Sequence, residues 1–537
     1  MGTKKLILVL HAHQEYIKHI GEDAQKYAAE SNYLFEAISN TYIPLIQMLE
    51  NLEKDGISFC ISLVLSPVLC TLLEDAQVQQ QYIDWLDARI EFGKTEIDRT
   101  SGNPELQNAA KACLEKAESD RNLFELYKRR LVKKFHEYKK KGFVELLATC
   151  GTDIFLPYYN DMEEILNAQV ESGIYAFRSF FGCKPDGFWL PELGYYNGIE
   201  KSLRAYGLSY TILDTRSFLF GETEPKNGIF TPARFTNALV AFSRDAESDD
   251  EIFGEDGFAL SAAYRNEARD VGFILPPEKL QPLVPAGTSR YSLGYKYWNK
   301  SAVEEDEVGN ALDSEHVYDA QAASALCGKQ AKLFVRGKAE RLEKASSLVE
   351  NGDVSLVVTL DLNRLRAVWN EGIAWLEQVI RAAGGEGLEL ATPRMMFENP
   401  FTLQRIKPYF GASCGEGYGE NLLSSRNSWM MRYVRKASER MVDLSERFPT
   451  ETGLKARLLN MGAKELMFAQ SVGWAEMIDS GEAADYAEKR FTESINDFTA
   501  VFDALGSNTV STEWLTTLES RHSIFPWMNY RIFSRKH

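Results

Sequence analysis

Paired cysteines, basic charge and long apolar runs are all in short supply in this chain. Its seven cysteines (Cys60, Cys70, Cys113, Cys150, Cys183, Cys327 and Cys414) are odd in number, scattered, and never spaced as CxxC. That excludes a disulfide framework and a cysteine zinc site, and it fits reduced thiols in the cytoplasm. No apolar run approaches the ~20 residues that span a bilayer. The opening Met1-Gly2-Thr3-Lys4-Lys5 has the charge of an export signal, but the apolar Leu6–Leu10 after it is too short and runs into polar sequence. Sixty Lys and Arg stand against 77 Asp and Glu, a formal net charge of −17. Such a surface suits neither nucleic acid nor an anionic membrane, and it is compatible with a neutral substrate. No Walker loop, no GxGxxG after a strand and no GxSxG occurs. Nucleotide hydrolysis, dinucleotide redox chemistry and serine hydrolase chemistry therefore have no support.

What is present is a rhythm. Short apolar runs each end in polar residues: Leu6–Leu10, Phe59–Leu65, Val144–Ala148, Gly187–Leu190, Tyr210–Leu213, Leu239–Phe242, Val354–Leu360 and Leu388–Leu390. Helix-favouring stretches separate them. Near-continuous apolar strands alternating with helices predict a parallel sheet covered on both faces. About eight such strands suggest a closed or nearly closed barrel, whose reactive groups gather at the carboxyl ends of the strands. At 537 residues the chain exceeds what one core fills, so further domains are expected. The expected boundaries are a barrel over 1–398 and a C-terminal α-helical domain over 399–537. Within the barrel, 74–141 reads as a helical insertion with solvated faces, and 246–315 as a loop-rich insertion.

The strand ends carry the candidate chemistry. Glu192 follows a strand directly in Trp189-Leu190-Pro191-Glu192-Leu193-Gly194-Tyr195. A carboxylate fixed by proline and flanked by rings is what a glycosidase nucleophile requires; a surface acid in a turn is the competing reading. Asp361 ends the run Val354–Leu360 and reads equally as the cap of a following helix. Together, two acids at two strand ends can supply a nucleophile and a general acid/base. His11-Ala12-His13 follows the first strand. The remaining histidines (His19, His136, His316, His522 and His537) lie in helical, loop or terminal context, so no metal is expected, and hydrogen bonding of His11 and His13 to sugar hydroxyls is the better functional reading. Arg244-Asp245 is a candidate charge pair for orienting a catalytic carboxylate, with an ion pair at the barrel rim the commoner reading. Trp189 and Tyr195 flank the acid and are candidate substrate contacts; Trp369 and Trp474 are candidate sugar platforms, with burial in the core the favoured competing reading of each. Asp153 and Glu371 read as polar groups of the rim.

These motifs resemble glycoside hydrolase family 57, and within it the 1,4-α-glucan branching enzyme group. The similarity runs nearly end to end: Leu8–His13, Gly187–Tyr195 with Asn197–Glu200, Leu213–Thr215, Phe242–Asp245, Val357–Asp361, Trp369–Gly372, Gly415–Gly417, Glu465–Gln470 with Trp474, Asp485–Ala487, and Phe525-Pro526 with Asn529–Arg531. The resemblance implies an α/β fold, an incomplete (β/α)7 barrel with a C-terminal helical domain closing the cleft. It implies a retaining enzyme without cofactor or metal, acting on α-1,4-glucan such as glycogen, amylose or maltooligosaccharides. Glu192 matches the family nucleophile and Asp361 the acid/base. Branching, with transfer to a 6-hydroxyl, is the leading expectation; amylase-like hydrolysis and glucan binding with little activity are the alternatives.

Several family positions are altered. Asp153 stands where a His is usual. Asp361-Leu362-Asn363-Arg364-Leu365-Arg366-Ala367 stands where the family has Asp-Thr-Glu-Leu-Phe-Gly-His. Gly473 replaces an Asp, Ser494 a His and Cys414 a Trp. Each lost polar partner is expected to cost about 1–3 kcal/mol in binding or transition-state stabilisation. Arg366 is expected to add a bulky cation near the site.

Overall fold

The computed structural model describes residues 2–285, 287–300, 304–305, 311–312, 316–350 and 352–535. Met1, His537 and most of 301–315, part of the expected loop-rich insertion, lie outside the described residues. The strands in chain order are β1 (Lys4–Ala12), β2 (Ile61–Leu65), β3 (Val144–Leu147), β4 (Gly187–Phe188), β5 (Tyr210–Leu213), β6 (Ala233–Arg234), β7 (Val240–Ser243), β8 (Glu304–Glu305), β9 (Ala311–Leu312), β10 (Val354–Asp361) and β11 (Glu389–Ala391).

One parallel sheet runs β10-β1-β2-β3. A second runs β4-β5-β7-β6, antiparallel only at β6. Single bridges join them at Ala148–Phe188 and Arg244–Val357. Seven parallel strands therefore form a ring that is held by only one bridge at each junction, the incomplete (β/α)7 barrel. The eighth apolar run, β11, is no stave of it. It pairs with Lys5–Ile7 of β1, below the Val9–Ala12 segment that β2 occupies, because β2 is too short to cover that edge.

Alternation along the strands separates inside from outside. Ile7, Val9, Val64, Leu147, Tyr210, Ile212, Val240, Phe242 and Val357 fill the barrel with Trp189, while Ala391 and Phe397 join the same cluster. Their neighbours Leu6, Leu8, Leu10, Leu63, Leu146, Leu356, Val358 and Leu360 belong to the larger core under the helices. Both phases are apolar, which is why the strands read as unbroken hydrophobic runs.

Four helices fill the chain between β2 and β3: Pro67–Glu74, Ala76–Arg99, Pro104–Leu126 and Leu131–Lys141. The first three begin where Ser66, Asp75 and Asn103 accept backbone N–H groups with their side chains. The fourth ends at Gly142, whose φ of 85° favours a residue without Cβ. After β11 come helices Trp429–Arg447, Gly453–Ala469, Gly473–Ser480, Ala484–Ser507 and Thr512–Arg521. The start of Gly473–Ser480 is tied to the barrel: Val472 N–H donates to the Asp153 carbonyl at 2.7 Å, and Ser471 reaches Glu15. No helix among the described residues is long and apolar enough to cross a membrane.

Leu10 is fully buried between β1 and its covering helices. Leu10→Ala is expected to cost about 2–5 kcal/mol, read as a lower thermal unfolding temperature. An unchanged transition would count against this packing.

Candidate functional site

The inward phase continues past the apolar layers to the mouth of the barrel. In β1 it runs Ile7, Val9, His11; in β10 it runs Val357, Thr359, Asp361. The parallel register sets His11 beside Asp361, and His11 Nδ1 lies 2.9 Å from Asp361 Oδ2. Asp361 also accepts the Arg364 N–H at 2.8 Å through Oδ1, capping the helix Leu362–Val368. Both readings of this acid hold at once, because one oxygen serves the cap and the other the histidine. Its side chain is 42% exposed, open to whatever enters the mouth.

Glu192 arrives by a turn. Pro191 follows β4, and the backbone then takes left-handed values at two successive residues that are not glycine: Glu192 (φ 52°) and Leu193 (φ 47°). Such conformations are costly for side-chain-bearing residues and cluster at functional sites. The Glu192 carbonyl accepts the Ser413 N–H at 2.7 Å, which binds the turn to the glycine-rich loop. The Cys414 thiol of that loop hydrogen-bonds the Glu192 carboxyl. Burial and the nearby Glu192 and Glu476 push the thiol far above its ordinary range, so it stays protonated and donates.

Glu192 and Asp361 border one cleft of about 280 Å³, together with His11, His13, Asp153, Trp189, Arg244, Asn363, Arg364 and Glu476. One wall is aromatic. The His11 and Trp189 rings stack at 5.1 Å with an interplanar angle of 16°, and His13 lies nearly parallel to His11 at 6.4 Å. His11 Nε2 and Trp189 Nε1 are buried without a hydrogen-bond partner among the described residues. Orphaned donors and acceptors in a cleft wall are costly unless something polar meets them there.

Carboxyl groups crowd the floor, and their protonation divides. Burial, with Asp153 and Asp361 adding to it, lifts Glu192 to about 7 despite His11 and Cys414. Asp361 goes the other way. Burial works against its charge, but the His11 hydrogen bond and charge, the Arg364 N–H and His13 outweigh it and hold Asp361 below the usual range. Burial raises Asp153 against the pull of His13 and His11. Glu476 is raised well above the ordinary glutamate, first by burial and then by Glu192, Asp153, Glu15 and Asp361. The cleft therefore sets an acid held below its ordinary range, Asp361, against carboxyls whose protons are held more tightly than usual, Glu192 and Glu476 above all.

Four of the expected site residues do not reach this cleft. Tyr195 is 1% exposed, packs on Phe235 and hydrogen-bonds Glu200. Trp369 is buried against Tyr264 and Trp375. Trp474 is buried and donates its ring N–H to the Phe468 carbonyl at 2.9 Å. Asp245 does not pair with Arg244, because alternation turns the two side chains to opposite faces. Arg244 points into the cleft and bonds Asp214 at 2.7 Å. Asp245 points to the outer helix Ala320–Ser346, where it binds Arg341 at 2.8 Å and Lys338 at 3.3 Å. Arg366 does not obstruct the cleft either. It lies 3.4 Å from Glu36 and lines a separate cavity with Lys296.

Three further residues line the cleft. Asp153, read as a rim group, lines the floor. Asn363 donates to the His13 carbonyl at 2.6 Å and accepts from Gln14 at 2.7 Å. Glu476 comes from the C-terminal helices, where no strand end announces it. Its one cue was its place two residues beyond the Trp474 motif.

Two family profiles match the chain. One, described as Glycosyl hydrolase family 57, covers residues 7–271; the other, described as 1,4-alpha-glucan branching enzyme, C-terminal, covers 433–533. A 1,4-alpha-glucan branching enzyme of Thermococcus kodakarensis is 25% identical over 523 residues, spanning 92% of this chain and 72% of that protein. The alpha-amylase AmyC from Thermotoga maritima matches with a TM-score of 0.89 at 27% identity, covering 99% of both chains. A GH57-type branching enzyme from Pyrococcus horikoshii shares the fold with a TM-score of 0.86 at 22% identity, covering 99% of this chain and 97% of its own.

Asp245 offers a direct check on its outward placement. Asp245→Asn leaves the buried Lys338 without its inner counter-charge and is expected to cost about 3 kcal/mol. Thermal unfolding should come earlier while activity per folded molecule is kept. Normal stability with lost activity would instead put Asp245 in the cleft.

Proposed function

Since the chain belongs to glycoside hydrolase family 57, we propose that it is a retaining enzyme that cleaves α-1,4 bonds of a glucan and rejoins the released segment through an α-1,6 bond. The observation that carries this reading is the pair of acids, Glu192 and Asp361, bordering one cleft with opposed protonation. Contrasting environments around two carboxyls are the mark of paired acid and base roles.

In this reading Glu192 attacks the anomeric carbon and forms a glycosyl ester. Asp361 protonates the departing glycosidic oxygen. Asp361 then takes the proton of the acceptor hydroxyl, whose oxygen displaces Glu192 and retains the configuration. The free protein carries the pair's proton on the Glu192 side, so that proton passes to Asp361 as the sugar enters. Only the singly protonated pair is competent, and its titration belongs to both members. The ring edges of His11 and Trp189 supply hydrogen bonds to sugar hydroxyls, and their stacked faces shape one side of the cleft. Glycogen, amylose and maltooligosaccharides are the proposed substrates, and unpaired cysteines fit action in the cytoplasm.

Hydrolysis uses the same two steps with water as the acceptor. It is the second reading, favoured by the similarity to an alpha-amylase at 27% identity and by Cys414 at the loop beside Glu192. Proton NMR of amylose incubated with the protein separates the outcomes. New α-1,6 signals are expected; reducing ends without them would indicate hydrolysis, and an unchanged polymer would reject both. Glu192→Gln should abolish activity with the fold intact, and a retained rate would reject the site.

The pH dependence follows from the pair. As pH rises, kcat/KM should appear once Asp361 ionises, below the usual carboxylate range, and should fall through about 7 as Glu192 loses the last proton. A rate still climbing beyond pH 8 or so would contradict this assignment.

A further inference from the structure

Behind the cleft wall a carboxylate stands where a neighbouring glycine leaves room for it. Glu15 follows His13 at the end of β1, and its side chain is only 8% exposed. It does not line the cleft. Ser471 Oγ lies 2.8 and 2.7 Å from its two oxygens, and Oε1 lies 3.3 Å from His13 Nε2. A Cβ at Gly473 would collide with this carboxyl group, and Glu15 atoms are the three nearest that such a Cβ would meet. Gly473 opens the Gly473–Ser480 helix and its φ is not left-handed. Its lack of a side chain serves space, not backbone conformation.

We propose that Glu15 is a positioning residue: it fixes the cleft-facing ring of His13, and it delivers from the end of β1 a carboxylate into space that a side chain at position 473 would otherwise fill. This deepens the glucan-site reading and rests on it for the use to which His13 is put. The arrangement is specific. His13 Nδ1 lies 2.9 Å from Ser66 Oγ, which also accepts the Leu69 N–H at 3.2 Å, so both ring nitrogens face oxygen partners. The ring can neither flip nor rotate without losing one of them.

The groups around His13 explain what a fixed ring does. His11 faces it from β1 and Glu15 from the segment just after it, Ser66 from the turn after β2, Asp153 from the loop after β3 with Oδ2 at 4.0 Å, and Asp361 from β10. Glu476 lines the same cleft from the C-terminal helices. Burial alone would lower His13, but Asp153 and Glu15 drive it up to about 9, so it is a cation at neutral pH. That cation in turn favours ionised Asp361 and opposes the upward drift of Asp153. Glu15 touches neither Glu192 nor Asp361, and the contact through which it reaches them is His13.

Position 473 supplies the complementary argument. That position carries no side chain, and Glu15, three residues past the end of β1, fills from the opposite side the space that one would take. An arrangement of this kind predicts reciprocal rescue.

The test uses the full chain and six variants of it. Glu15→Gln keeps the shape and the Ser471 bond but removes the charge. Histidine-labelled protein, with His13 assigned by its loss in His13→Asn, reports the ring directly without substrate. In the native chain His13 should titrate near 9, and in Glu15→Gln by about one unit lower or more. Glu15→Ala should lower kcat on amylose on the order of a hundredfold with a smaller change in KM. Gly473→Asp alone should also impair the protein by displacing Glu15. The double variant Glu15→Ala, Gly473→Asp should recover most of the activity and the raised His13 titration. An unmoved His13 titration in Glu15→Gln, or a double variant worse than either single one, would overturn the proposal. Activity surviving in Glu192→Gln would fault the glucan-site reading and leave the His13 result standing.

Discussion

The parallel pairing of β1 with β10 governs where every reactive group comes to rest. Eight consecutive residue pairs, from Lys4 with Val354 to His11 with Asp361, lock the two strands in phase. A slip of one residue would send His11 and Asp361 outward among the helices and bring leucines to the mouth. The apolar layers of Ile7, Val9 and Val357 therefore do more than stabilise the barrel. They fix the rotation of the strands, and the polar residues beyond inherit it. Arg244 and Asp245 show the same rule, since adjacent residues on one strand end in different layers of the molecule.

Once those groups are gathered, their charges are the next constraint. Asp153, Glu192, Asp361 and Glu476 share a cleft whose cationic side chains are few: Arg244, Arg364 and the raised His13. Arg244 is committed to Asp214, and Arg364 lies 2.8 Å from Asp249. So many carboxyls cannot all be ionised in so small a volume, and the protons remain on those least supported. Asp361 has the most support, from His11 and from a helix N-terminus, and it is the one held ionised. An uneven distribution of protons is thus built into the fold before any sugar arrives.

Much of this was legible in the residues. Alternation of apolar runs and polar tails announced a barrel and marked Glu192 and Asp361 at strand ends, and His11, His13, Trp189 and Arg244 lie where their strand positions put them. The failures have one cause. Tyr195 stands in the Glu192 motif, and a motif does not say that its ring turns away to pack on Phe235; for Trp369 and Trp474 the core reading holds, since both rings are buried. Asp245 was misjudged because its partners, Lys338 and Arg341, lie on a helix nearly a hundred residues later. Glu15 and Glu476 were invisible for a related reason, as both depend on how the C-terminal helices settle on the barrel. The eighth apolar run was a real strand, but the edge left free by the short β2 took it out of the ring.

The left-handed turn at Glu192 separates the fold from the carboxyl it carries. Glycine or asparagine would adopt that backbone more easily than glutamate does, so nothing in the turn itself calls for an acid. The turn fixes where a side chain at 192 emerges and leaves its chemistry to the residue that stands there.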